Sequence, residues 1–116
     1  MFEDIKVRFT PQFRKCAPKL MAEEAIQELI DYLYLHPKKG DLIQGTGGLR
    51  KIRWKTGKDN KGKRGGVRVI YYWEKDVLIL LVTLFLKVDK ANISAENKTG
   101  FKKILPHLIA SGKEEK

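Results

Sequence analysis

The stretch Val67-Arg-Val-Ile-Tyr-Tyr-Trp-Glu-Lys-Asp-Val-Leu-Ile-Leu-Leu-Val-Thr-Leu-Phe-Leu86 decides the fold. From Val67 to Trp73 it is β-branched and aromatic except for Arg68, a composition that suits a pleated, half-buried surface. Glu74-Lys-Asp76 is short enough for a hairpin turn. Val77 to Leu86 is then an almost unbroken apolar run, which predicts a strand covered on both faces. Two strands joined this way are antiparallel neighbours.

Working upstream, Leu49-Arg-Lys-Ile-Arg-Trp-Lys55 alternates with a period of two, so Ile52 and Trp54 share one side and Lys51, Arg53 and Lys55 the other. A basic sheet face is expected there. Before it, Gly40-Asp-Leu-Ile-Gln-Gly-Thr-Gly-Gly-Leu49 carries four glycines and predicts a loop that needs positive φ angles. It is not a phosphate-cradling loop. Such a loop needs Gly-Lys-Ser/Thr opening a helix, whereas these glycines run into a strand. Gly57 to Gly66 reads as a flexible, basic connection to the next strand.

At the N-terminus Ile5, Val7 and Phe9 alternate with Lys6 and Arg8, a strand ending at Phe9. Thr10-Pro11 has the chemistry of an N-cap followed by proline at the first helical position. A short helix or turn follows. From Leu20 to Leu35, Ala22, Ala25, Ile26, Leu29, Ile30 and Leu33 recur at helical spacing opposite Glu23, Glu24, Glu28 and Asp31, and His36-Pro37 should end that helix. Ser94 can cap a last helix with a stripe of Phe101, Ile104, Leu105 and Leu108, which Pro106 should kink or end. The predicted order is β-α-α-β-β-β-α, an α+β fold in which helices pack on a small, mostly antiparallel sheet.

A chain of 116 residues is one domain, 1–116. The apolar run is too short to span a bilayer, and Met1-Phe2-Glu3-Asp4 lacks the features of a signal segment, so a soluble, cytoplasmic protein is expected. Cys16 is the sole cysteine and there are two histidines, so the usual zinc spacings cannot be assembled and no cofactor is expected.

The net charge of +10 is concentrated rather than spread. Arg50 to Arg68 hold nine basic residues (Arg50, Lys51, Arg53, Lys55, Lys58, Lys61, Lys63, Arg64 and Arg68) against Asp59 alone, a net +8. Residues 1–49 sum to zero. A concentrated charge makes a local field that attracts polyanions, which favours nucleic acid over simple solubility. Metal-free RNA cleavage needs groups that move protons and donors for the charged phosphorane. His36 and His107 lie outside the basic segment, and Asp59 alone cannot hold metals, so a site must be built from Lys and Arg: Lys51, Arg53, Arg68 and Lys87. Crowded cations favour a lysine that gives up its proton, and arginines supply paired donors to phosphate. Trp54, Tyr71, Tyr72 and Trp73 are either base-stacking platforms or sheet core, with core favoured for Trp54. Lys38-Lys39 reads as a solvated helix terminus.

Gly40-Asp-Leu-Ile-Gln-Gly-Thr-Gly-Gly-Leu-Arg-Lys-Ile-Arg53 together with Gly62-Lys-Arg-Gly-Gly-Val-Arg-Val-Ile-Tyr-Tyr72 resembles the RelE/HigB superfamily of toxins from type II toxin–antitoxin modules, the HigB-type branch most of all. The match is specific from Gly40 to Trp73 and weaker beyond. It implies a ribosome-dependent mRNA interferase that cleaves the codon exposed in the A site without metal. It also implies neutralisation by a cognate helix-turn-helix antitoxin, through which alone the pair contacts operator DNA. By position, Lys51 and Arg53 match the basic pair that grips RNA and assists proton transfer, Arg68 the arginine that stabilises the scissile phosphate, and Lys87 the lysine after the last strand. Arg50, Lys55, Lys61, Lys63 and Arg64 are the further RNA-binding candidates. One departure stands out: relatives often carry Tyr-Gly-Lys where this chain has Phe85-Leu86-Lys87. Two rival readings remain: a ParE-like toxin that poisons gyrase, and a non-catalytic RNA-binding module or attenuated toxin.

Overall fold

The computed structural model describes residues 5–58, 66–86 and 95–114. In chain order it contains β1 (Lys6–Phe9), α1 (Pro11–Leu20), α2 (Glu23–Leu35), β2 (Asp41–Leu42), β3 (Leu49–Trp54), β4 (Val67–Glu74), β5 (Leu78–Leu86) and α3 (Ala95–Glu114). The five strands form one sheet in the order β1-β5-β4-β3-β2. Only β1 runs parallel to its neighbour; the other three pairings are antiparallel. This is the expected α+β fold.

The β4–β5 hairpin turns where Asp76 adopts φ 63°, a left-handed conformation that aspartate tolerates better than most side chains. In β5, Leu78, Leu80 and Val82 point to one side of the sheet while Ile79 and Leu81 point to the other. Ile70 then pairs with Thr83 and Tyr71 with Leu81, so Val82 is an extra residue, a β-bulge. Beyond it the alternation is inverted: Leu84 joins the side of Leu81, and Phe85 joins that of Val82.

Each sheet face has its own core. On one, α1 and α2 bury Phe13, Ala17, Ala25, Leu29 and Leu33 against Ile52, Val69, Tyr71, Ile79 and Leu81. On the other, Leu105 of α3 joins Leu49, Ile70, Leu78, Leu80 and Val82. Thr10 ties α1 to the bulge: its hydroxyl accepts from the Phe13 N–H at 3.1 Å as N-cap and donates to the Val82 carbonyl at 2.6 Å. A missing cap of this kind costs about 1 kcal/mol.

Four expectations need correction. The second helix starts at Glu23, not Leu20, because Met21 and Ala22 are extended and the Ala22 N–H donates to the Thr56 carbonyl at 2.7 Å. The glycine-rich stretch is not loop throughout, since Asp41–Leu42 pair with Lys51 and Arg50; two residues are too few to show a period. Pro106 does not end the last helix, which continues to Glu114 because Leu108 and Ile109 pack beyond it against the sheet-side cluster. Ile104, expected in the stripe, is exposed. Ser94 lies outside the described residues.

Candidate functional site

β3 and β4 run side by side with Arg53 opposite Arg68, Ile52 opposite Val69 and Lys51 opposite Ile70. Alternation therefore puts Lys51, Arg53 and Arg68 on the α3 side, since Leu49 and Ile70 of the same two strands belong to the α3-side core. The same row continues into β5, where Arg68 pairs with Phe85. Opposed residues in an antiparallel pair lie about 4.5–5.5 Å apart, and alternate residues on one strand about 7 Å apart. Three cationic side chains thus leave a small area of one face. Accessibility rises across it: Ile70 is fully buried, Lys51, Arg68 and Phe85 are half-buried, and Arg53 is exposed.

Like charges directly opposite each other on a sheet are destabilising. A row that places Arg53 against Arg68, with Lys51 one pleat away, is suited to an anionic ligand.

The remaining candidates are placed differently. Arg50 lies on the opposite face, beside Tyr71, and its guanidinium donates to the carbonyls of Gly40 at 2.9 Å and Lys38 at 3.3 Å. It holds a turn in place. Lys55 follows the end of β3 and forms a 2.7 Å ion pair with Glu28 of α2, on the α1–α2 side. Both partners are more than half exposed, so the pair adds little to stability. Lys61, Lys63, Arg64 and Lys87 lie outside the described residues, as does Asp59.

The aromatic residues divide cleanly. Trp54 packs against the α1–α2 core, its indole N–H donating to the Ala25 carbonyl at 3.0 Å and its ring 5.2 Å from that of Tyr32. Tyr71 is fully buried; its hydroxyl donates to the Pro37 carbonyl at 2.7 Å and accepts from the Gly40 N–H at 2.9 Å. Burial pushes its phenol up from the ordinary value, against the opposing effects of the Gly40 N–H and Arg50. A Cβ at Gly40 would stand 2.7 Å from the Tyr71 ring and hydroxyl, so only glycine fits. Tyr72, on the α3 side, is half-buried and donates to Glu74 at 3.3 Å; burial first and Glu74 second raise its phenol also.

His36 caps the end of α2 and packs against Tyr32, and His107 is exposed on α3. His36 thus lies on the other side of the sheet from the Lys51–Arg53–Arg68 face. Among the described residues no three His, Cys, Asp or Glu side chains are grouped so as to hold a metal ion, and no helix is long and apolar enough to cross a membrane. A cavity that the sequence did not announce, of about 430 Å³, is lined by His36, Pro37, Lys38, Lys39 and Trp73. No protein-family model matches the chain, so the toxin resemblance rests on the motifs between Gly40 and Trp73.

Proposed function

We propose that the protein is a toxin of a type II toxin–antitoxin module that acts as a metal-independent, ribosome-dependent mRNA interferase. The observation that carries this reading is the opposition of Arg53 and Arg68 beside Lys51 on one partly accessible sheet face. In this reading the substrate's own 2′-hydroxyl gives up its proton and attacks the adjacent phosphorus, expelling the 5′-oxygen of the next nucleotide, which takes up a proton, and leaving a 2′,3′-cyclic phosphate. Lys51 takes up or returns a proton, and Arg68 and Arg53 donate hydrogen bonds to the phosphate oxygens as negative charge accumulates in the transition state. A single such donor can be worth about 3 kcal/mol. The ribosome supplies what a small basic face lacks, an mRNA held with one codon exposed. The cognate partner is a helix-turn-helix antitoxin, acidic where it meets this face, and the site of action is the cytoplasm.

Phe85 favours a second reading. It sits next to Arg68 in the sheet, at the point where the resemblance leads one to expect a tyrosine, and it offers no hydroxyl for proton transfer. A chain that keeps the cations and lacks that phenol suits an RNA-binding module with attenuated cleavage.

Primer extension on an mRNA translated in the presence of the purified protein separates these readings. Cuts at codon boundaries that need ribosomes support the interferase. Binding to ribosomes without cuts supports the attenuated module, and gyrase-linked DNA breaks would replace both with a ParE-like activity.

A further inference from the structure

The cavity beside Trp73 lies on the α1–α2 side of the sheet, away from the Lys51–Arg53–Arg68 face. Trp73 packs against the core shared with α1 and α2, and it is five residues along β4 from Arg68, about 17 Å at the usual rise per residue. A single nucleotide cannot touch both places.

The floor of the cavity is held by hydrogen bonds and its rim is exposed. From beneath, Tyr71 holds the Pro37 carbonyl and the Gly40 N–H, while Arg50 holds the carbonyls of Lys38 and Gly40. The Lys39 N–H closes the turn onto the His36 carbonyl at 3.1 Å. These bonds fix the backbone of the turn and leave the side chains of Lys38 and Lys39 exposed. The Trp73 ring is electrostatically primed: the Lys38 ammonium lies 5.8 Å from its centroid and the Arg50 guanidinium 6.0 Å. No Asp or Glu is among the lining residues, which are an indole, an imidazole, a proline and two lysines.

We propose that this pocket takes one nucleobase of single-stranded RNA, stacked against Trp73, with the adjoining phosphate on Lys38 and Lys39. Lys38 exchanges its contact with the ring for one with phosphate, and the base replaces it over the indole. Stacking on an aromatic ring combined with phosphate neutralisation is how sequence-tolerant single-strand binders hold RNA. An acidic peptide would satisfy the lysines and leave the aromatic wall without a partner. The proposal shares RNA as ligand with the reading above but does not require cleavage.

The two tryptophans give a direct assay, because each contributes one indole N–H signal to a ¹H–¹⁵N spectrum. Titration of the full chain with a short oligouridylate is expected to move the Trp73 signal saturably and to leave that of Trp54, bonded to Ala25, in place. Lys38→Glu with Lys39→Glu should weaken the response about tenfold or more, since two phosphate contacts become repulsive. Lys51→Ala with Arg53→Ala should leave it largely intact, so that loss of the cleavage site and loss of this pocket are read separately. A static Trp73 signal overturns the proposal. So does a shift that survives the Lys38 and Lys39 changes, one that vanishes with Lys51 and Arg53, or one reproduced equally by an abasic ribose-phosphate oligomer or by polyglutamate.

Discussion

Arg53 and Arg68 face each other across the β3–β4 pairing, two guanidinium groups in directly opposed positions of an antiparallel sheet. Relieving such an opposition is worth a few tenths of a kcal/mol to the fold. Arg53→Gln is therefore expected to leave the urea midpoint unchanged or raise it by the equivalent of about 0.5 kcal/mol. The same change should weaken RNA or ribosome binding and reduce its salt slope by about one. A clear loss of stability would show that Arg53 serves the fold.

Arg68→Ala should abolish growth arrest in cells while the far-ultraviolet circular dichroism spectrum stays that of the parent. The expected loss of transition-state stabilisation is about 3 kcal/mol, or more than a hundredfold in cleavage. Undiminished toxicity would end the assignment, and an unfolded variant would undermine it.

Phe85→Tyr adds a hydroxyl next to Arg68 at a half-buried position. If the chain is an attenuated interferase, ribosome-dependent cleavage should rise by at least about tenfold, a modest part of what a positioned proton donor can supply. Cleavage that is already strong and does not change would show that Phe85 is sufficient.

Tyr71→Phe strands the buried Pro37 carbonyl and Gly40 N–H, at a cost of about 1–3 kcal/mol near neutral pH. The pH dependence has a definite sign. Because burial raises the folded-state phenol above its ordinary value of about 10, the unfolded chain loses that proton first as pH rises. The stabilisation is complete below about pH 10 and is lost as pH climbs through the folded-state value. Urea midpoints should fall more steeply above about pH 10 in the parent than in Tyr71→Phe, with a residual slope of the same sign from Tyr72. Parallel curves would refute this.

Much of the fold was legible because strands announce themselves locally. The hairpin from Val67 to Leu86, the Thr10-Pro11 cap and the stop at His36-Pro37 depend on neighbouring residues, and each stands where expected. What escaped depends on distant partners. Asp41–Leu42 is a strand only because Lys51 and Arg50 lie beside it, and α3 passes Pro106 only because the sheet holds both of its halves. For the site, counting charge grouped Arg50 and Lys55 with Lys51 and Arg53. Alternation alone already separates Arg50, which falls on the side of Ile52 and Trp54. Lys55 needed the third dimension, since it leaves the strand at Trp54 and turns to Glu28. The pocket at Trp73 joins residues far apart in the sequence, so Lys38-Lys39 looked like nothing more than a wet helix end.

The extra residue at Val82 gives β5 a reading frame of its own. Ahead of it the strand's odd-numbered side chains serve the α1–α2 side; past it the even-numbered ones do, and Phe85 is thereby delivered to Arg68. Loss of the Val82 codon would regularise the ladder and leave Phe85 opposite Arg68, because the extra residue has no partner on β4 to give up. In-frame deletions of one residue are usually tolerated in loops, and here the bulge extends that tolerance to the middle of a strand, because every later side chain keeps its partner and its face.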